Sequence, residues 1–396
     1  MKKIILLLLF VPACLRAYDF GVVLDQKAGL GGTGNEAGFD YAAALVPYLS
    51  VPIGDSGDLY ISAGAMFNYE DKAAFFPELF RTEISWRFNK IKIKAGRIQY
   101  EDPLDFVIEG LFDGAQFFYD TPAGVFSAGT WYTGMLYKKR ANILITQRDI
   151  ESYYTALDYA DFSGTYFASR RMLAAVGWEH PAIAGMIRMK CALSGQIDLN
   201  DTDAPFHSFY LSAKAGALFR ELMLELGGCV QIAAGADESG VGFAGEFGVL
   251  WMPLWPFQSQ FALHGRLSSG RTDTVRAFIP ITTKPQGDIL RAKLSGLSVF
   301  SLDYTARLHR SFSAGASASY FIRSDLGTFN SYPAGSFGNN KGFFLGGEFV
   351  GRLMWSPVSD LSLNMGAGVF LPSMGDTAHD AEPRWRVELS LLFAFF

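Results

Sequence analysis

Segments of about ten residues in which apolar and polar side chains alternate one by one, the span of a transmembrane strand, recur from Tyr18 to the end of the chain. In residues 80–88, Phe80, Thr82, Ile84, Trp86 and Phe88 alternate with Arg81, Glu83, Ser85 and Arg87. In residues 186–194, Ile187, Met189, Cys191 and Leu193 stand against Arg188, Lys190 and Ser194. Leu302, Tyr304, Ala306 and Leu308 stand against Ser301, Asp303, Thr305 and Arg307, and the last segment sets Trp385, Val387, Leu389, Leu391, Phe393 and Phe395 against Arg384, Arg386, Glu388 and Ser390. A period of two puts neighbours on opposite faces of a strand, so each segment has one oily and one charged face. Helical periodicity is nearly absent, and the fold class is all-β.

The chain has 396 residues, 49% hydrophobic, 15% aromatic and 18% charged, with 42 glycines. That is too apolar for disorder. Past the leader no run of about 18 apolar residues is free of charges and turn signals, which sets aside a helical membrane protein. A large soluble β protein and an outer-membrane barrel remain. Strands in a soluble sandwich average about 5 to 6 residues, and these segments are longer.

Connections decide the matter. Tight turns are expected at 54–57, 89–90, 121–124, 180–185, 220–221, 253–256, 309–310 and 357–360, where Gly, Pro, Asn and Asp cluster. Between them lie stretches expected as loops: 30–37, 70–77, 101–112, 134–164, 197–205, 235–240, 269–295, 325–341 and 371–383. Alternation of short turns and long loops belongs to a barrel with one elaborated end. Eight turns and nine loops predict a transmembrane antiparallel barrel of about 18 strands, both termini on the turn side.

Lys2 and Lys3 precede an apolar run over residues 4–11 and then Pro12-Ala13-Cys14-Leu15-Arg16-Ala17. This reads as a signal peptide cleaved after Ala17, leaving 18–396 as one barrel domain of a diderm outer membrane. A second reading makes Cys14 an acylated N-terminus. The other cysteines, Cys191 and Cys229, fall on next-but-one strands about 10 Å apart, beyond disulfide reach, and are expected as free thiols. The final strand ends in Phe396, the signal expected to engage the barrel-assembly machinery. Tyr100, Trp131, Tyr132, Trp178, Trp251 and Trp255 are expected in interfacial girdles against outer-membrane lipid.

Nothing in the sequence forms a catalytic set, and no enzyme activity or cofactor is expected. The histidines, at 180, 207, 264, 309 and 379, show no metal-ligand spacing. His207 and Ser208 point to opposite faces of a strand and cannot act as base and nucleophile. His264 is expected to line the pore, His180 and His309 to sit in turns and His379 in a loop. Gly29, Gly31 and Gly34 have dinucleotide-loop spacing but open no helix on which a phosphate could sit. Gly346-Gly347 reads as a structural pair inside a strand.

Turning every apolar face to lipid assigns the interior. The inward bases are Arg81, Arg87, Lys92, Lys94, Arg188, Lys190, Lys214, Arg266, Arg307, Arg352, Arg384 and Arg386, with Arg97 beside them; the inward acids are Glu83, Glu221, Glu225, Glu246, Asp303, Glu348 and Glu388. Twelve bases against seven acids give an interior excess of five positive charges in a chain of formal charge −5, or −8 once the leader's Lys2, Lys3 and Arg16 are gone. An acidic chain is no nucleic-acid binder. A basic lumen favours anions, unless the bases pair across strands, with Arg81 and Arg87 flanking Glu83. The longest loop, 134–164, carries Lys138, Lys139, Arg140, Arg148, Tyr153 and Tyr154, and is expected to fold into the pore as a constriction, with 269–295 an equal candidate.

Ile91-Lys92-Ile93-Lys94-Ala95-Gly96-Arg97-Ile98-Gln99-Tyr100, followed by Gly110-Leu111-Phe112-Asp113-Gly114-Ala115, resembles the alginate-export type of outer-membrane porin. Leu345-Gly346-Gly347-Glu348 and Met365-Gly366-Ala367-Gly368-Val369-Phe370-Leu371-Pro372 extend the similarity. The resemblance implies an 18-stranded barrel with a basic lumen that passes an anionic polysaccharide. Size also favours transport, since barrels of about 16 to 18 strands keep an aqueous lumen. The expected function is a porin for passive diffusion of small polar or anionic solutes, monomeric or trimeric. Alternatives are a fatty-acid-type transporter, for which the N-terminus leaves no hatch, an adhesin whose external loops carry the function, and an outer-membrane hydrolase.

Overall fold

The computed structural model describes residues 18–395 apart from 71, 203, 236–238, 273–274, 327–329, 332–334, 337–341 and 379. The leader with Cys14, His379 and Phe396 lie outside the described residues. Eighteen strands form one antiparallel sheet, each paired with its successor in the chain. The first strand, Asp19–Thr33, also pairs with the last, Arg384–Phe395, from Val22 opposite Phe395 to Thr33 opposite Arg384, which closes the barrel. Strands run from 9 residues (Gly124–Tyr132) to 18 (Glu36–Ile53). No described helix is long and apolar enough to cross a membrane.

Alternation builds the wall. Outward positions carry Ile84, Ile93, Phe117, Val176, Leu211 and Leu226, the last 68% exposed. Such a belt is unstable in water and at rest in hydrocarbon, where closure also satisfies the backbone of every strand. Trp251, Trp255, Phe261 and Tyr304 cluster at one end of this outer surface, with Trp255 5.5 Å from Trp251 and Phe261 4.8 Å from Tyr304.

All eight expected turns fall between strands on one side, and the longer connections on the other. Residues 30–37 are a correction. Strand pairing continues to Thr33 opposite Glu36, so only Gly34 and Asn35 form the link, with Gly34 at φ 57°. The glycine-rich run that suggested a loop is strand, and at Gly29 the Arg386 guanidinium and Asp40 carboxylate pack over the space a Cβ would take. Phe80 is a second correction. A register shift pairs Ser62 with Arg81 but Ala63 with Leu79, leaving Phe80 as the extra residue of a β-bulge. Its ring lies beneath Arg140, 4.3 Å from the guanidinium carbon, rather than in the lipid-facing row. Cys191 and Cys229 are free, Cys229 buried and Cys191 half-buried.

Candidate functional site: the interior of the barrel

Inward positions on the strands between Ile91 and Trp251 hold apolar side chains near the loop end, set among buried polar ones such as Arg171, Gln196 and Gln231. Ile98, Phe112 and Leu173 are fully buried, with Tyr100, Trp131 and Tyr210 nearly so. Three loop segments cover them: 102–108 brings Leu104, Phe106, Val107 and Ile108; 133–170 brings Leu136, Ala141 and Ile143; 269–296 brings Phe278, Ile281 and Leu294. Together they form one hydrophobic cluster inside the barrel. Tyr100 and Trp131 therefore do not belong to a lipid girdle; their rings meet 4.3 Å apart under the loops. Alternation alone could not tell this, because an aromatic at a strand end suits either face.

Polar bonds fasten the plug. Asp102 accepts the amides of Leu104, Val107 and Ile108 at 3.1 to 3.2 Å, and burial pushes its carboxyl up to about 6. The Val107 carbonyl in turn accepts the Ile281 amide at 2.9 Å, and the Tyr210 hydroxyl donates to Ile279 at 2.6 Å. Thr146 and Asp149 form a capping box that starts the helix Gln147–Tyr154. The same Asp149 carboxylate takes the Arg171 guanidinium at 2.8 Å, with Asp198 at 3.4 Å, all within the interior. One residue thus caps the loop helix and ties it to the wall.

The candidate loop residues divide. The Lys138 ammonium donates to the Thr155 carbonyl at 2.8 Å, and its burial draws its pKa down to about 8. Lys139 pairs with Glu70 at 2.6 Å, Arg140 covers Phe80, and Arg148 donates to the Asp201 carbonyl at 3.2 Å. Tyr153 is buried with Leu144, whereas Tyr154 stays exposed, packed edge-on against Tyr153. Loops 133–170 and 269–296 act together, since the Thr283 amide donates to the Asn142 carbonyl at 2.8 Å.

Wall charges come in ladders. Glu83 holds Arg81 at 2.5 Å and Lys94 at 2.9 Å, while Arg87 reaches Asp120 at 4.0 Å instead. Lys214 bridges Glu246 and Glu225 at 2.8 and 3.2 Å, Arg188 meets Glu225 at 3.1 Å, and Lys190 lies 3.9 Å from Glu179. Arg266 joins Asp105 at 2.7 Å and Glu246 at 3.4 Å. Arg386 grips Asp40 at 2.8 Å and Glu388 at 3.3 Å; Lys27 meets Glu388 at 2.8 Å, and Arg352 pairs with Asp288. Lys92 has no carboxylate in ion-pair range among the described residues, Arg384 is half-buried, and Arg307 donates to the Arg310 carbonyl in a turn. Glu348 lies beneath loop 269–296, 3% exposed, accepting the amides of Asp288, Ile289 and Leu290 at 2.7 to 3.0 Å. Arg97 is also enclosed, its side chain 4% exposed.

What stays open is a cavity of about 630 Å³ beside the plug. Lys27, Arg291, Arg352 and Arg386 line it with Asp288 and Glu388, and the walls between mix small or polar residues such as Gly315, Asn364, Gly366 and Ser390 with apolar Ile289, Val350 and Met354. Sequence reasoning missed Lys27, Asp40, Arg171, Asp288 and Arg291. Lys27 and Asp40 were hidden by the glycine-rich stretch read as a loop, although Asp25 and Lys27 already alternate with apolar Leu24. The loop residues Asp288 and Arg291 carry no periodicity to read.

No family model matches the sequence, and no curated protein matches it. Solved structures do. Pseudomonas aeruginosa OccK2 (OpdF) in complex with glucuronate superposes with a TM-score of 0.65 at 11% identity, over 96% of this chain and 98% of that one. The outer membrane protein OprD from Pseudomonas aeruginosa gives 0.59 at 11% identity, covering 96% and 95%, and Pseudomonas aeruginosa OccK10 (OpdN) gives 0.58 at 13%, covering 96% and 100%. The alginate-export type is not singled out by these likenesses. At such identities they show a shared fold, and that fold is the closed eighteen-stranded antiparallel barrel of outer-membrane channels.

Proposed function

We propose that the chain is an outer-membrane channel for passive diffusion of small polar or anionic solutes. The observation that carries this reading is the lined space left beside the loop plug, where four bases face two acids. A low-dielectric wall concentrates that small excess of positive charge on a narrow path, and such a path enriches anions. Pairing weakens the field that a bare count of bases implies, so the preference is moderate and centred on Lys27, Arg291, Arg352 and Arg386. The glucuronate bound by OccK2 and the alginate-export resemblance of residues 91–115 both point to sugar acids as the solute class. The exposed apolar belt seats the barrel in the outer-membrane lipid of a diderm bacterium, with loops outward, after export directed by residues 1–17 and assembly through the final strand. Planar-bilayer recording tests the reading. Conductance with reversal potentials of an anion-preferring pore is expected under a salt gradient; a silent protein, or a cation preference, would end it.

A further inference from the structure

Among the described residues the wall parts between two neighbouring strands. Strands Ala73–Phe88 and Ile91–Glu101 pair only from Phe88 opposite Ile91 to Thr82 opposite Arg97. Beyond that point they part. The first continues to Ala73 along Gly57–Tyr69, and the second to Glu101 along Glu109–Thr121. The Phe80 bulge marks the point of divergence.

Side chains replace the missing ladder. The Phe75 amide donates to the Tyr159 hydroxyl at 2.9 Å, and that hydroxyl donates back to the Phe75 carbonyl at 3.0 Å. The Arg97 guanidinium donates to the Leu79 carbonyl at 2.5 Å, and the Tyr166 hydroxyl lies 3.4 Å from the Pro77 carbonyl. Residues 75, 77 and 79 share one strand edge, and proline, which has no amide to leave unpaired, stands in the middle of it. Within the gap Tyr137, Phe162 and Tyr166 pack on Phe76, with Tyr137 4.6 Å from the Phe76 ring and Phe162 4.6 Å from Tyr166. At its base Arg97 holds both Asp113 oxygens at 2.8 Å and the Met135 carbonyl at 3.0 Å, with Glu78 at 3.6 Å. Glu78 bonds Tyr166 through one oxygen, while its other oxygen is buried with no hydrogen bond. That oxygen keeps only the ion-pair contact with Arg97, longer than a hydrogen bond, so the latch is looser here than at Asp113. On the outer side Phe75, Leu79, Met135 and Phe167 are exposed, which makes the wedge continuous with the apolar belt.

We propose that this seam is a lateral portal: withdrawal of the 155–167 wedge opens the wall to the leaflet on the loop side and admits an amphiphile, its apolar body replacing the aromatic wedge and its anionic head meeting Arg97. The proposal rests on the membrane-channel reading above. Ladder hydrogen bonds would forbid such opening, whereas a wedge held to the strand edge by side chains, its backbone bridge of Phe167 to Tyr137 lying outside the sheet, can swing away without breaking the barrel ladder. The test places a cysteine at the wedge, Phe76→Cys or Phe162→Cys, in a Cys191→Ala, Cys229→Ala background reconstituted in vesicles. A membrane-partitioned pyrene maleimide should label it, a sulfonated maleimide much less, and Arg97→Gln should speed the apolar labelling severalfold. Oleate should slow labelling when Arg97 is present and lose that effect in Arg97→Gln. Channels that conduct normally while both cysteines resist the apolar reagent, with and without Arg97→Gln, would overturn the portal and leave the channel reading standing; loss of all conductance in the parent would instead strike the channel reading.

Discussion

Two sectors of the lumen are built on the same alternation and end in opposite states. From strand Ile91–Glu101 to strand Gly240–Trp251 the inward row near the loop end sets Ile98, Phe112, Trp131, Leu173 and Tyr210 among buried polar groups such as Arg171, Gln196 and Gln231, and three loops settle on it as a plug. From strand Leu297–His309 round to Asp19–Thr33 only the loop end is covered, where Leu290 and Ala292 pack on Leu297, Phe321, Leu345 and Phe370; farther toward the turns Ser313, Gly315, Arg352, Asn364, Gly366, Arg386, Ser390 and Lys27 line a space that stays open. A small or charged inward row offers a loop no apolar surface to cover, so in this sector loop 269–296 stops at the last apolar rings and the hydrophobic effect carries it no deeper. The permeation path is thereby placed by what the loops do not cover.

The largest effect should come from removing the plug. Deleting residues 138–160 is expected to raise single-channel conductance by about twofold or more, since the lumen of a barrel this size is otherwise wide enough for water; equal conductance would mean the sectors do not differ in the membrane. Next comes the fastening at Arg171. Arg171→Ala strands Asp149 and Asp198 in the interior, and breaking a buried pair from one side costs about 3–5 kcal/mol. Trypsin should then cut at Lys138, Lys139 or Arg148 in the assembled barrel, where the parent is protected; equal protection would show that apolar packing alone holds the loop.

A smaller effect separates the sectors electrically. Lys27→Gln, Arg352→Gln and Arg386→Gln together should move the reversal potential toward cations, because Asp40, Asp288 and Glu388 lose their partners in the open sector. Lys92→Gln, Lys94→Gln, Arg188→Gln and Lys190→Gln should move it less. The reverse ranking would relocate the path. The smallest effect concerns pH. Asp102 has its carboxyl pushed up from an ordinary 3.8 to about 6, so the folded loop holds a proton that the unfolded chain releases. Its docking therefore weakens as pH rises from about 4 to about 6 and is level beyond. Asp102→Asn should flatten the pH dependence of amide exchange at Val107 and Ile108 over that window; an unchanged slope would assign the dependence elsewhere.

Barrel closure, strand number and the sidedness of turns and loops were legible because period two and turn chemistry are local. Phe80 escaped because a bulge breaks the period at one residue, and Pro77, three positions earlier, marks an unpaired strand edge without saying where the extra residue falls. Trp131 and Tyr100 escaped for another reason: an aromatic at a strand end suits either face, and whether a loop covers it is not written in the alternation.

By itself, then, the order of residues determined an eighteen-stranded wall with an oily outside and a charged inside, since each strand states its two faces within ten residues or so. Tertiary structure alone decided where that wall is filled, where it is open and where it is latched by side chains. Those outcomes depend on contacts between segments far apart in the chain, such as Asp149 with Arg171, Glu348 with the 288–290 amides, and Tyr159 with Phe75. No periodicity records which distant partner a loop residue will meet.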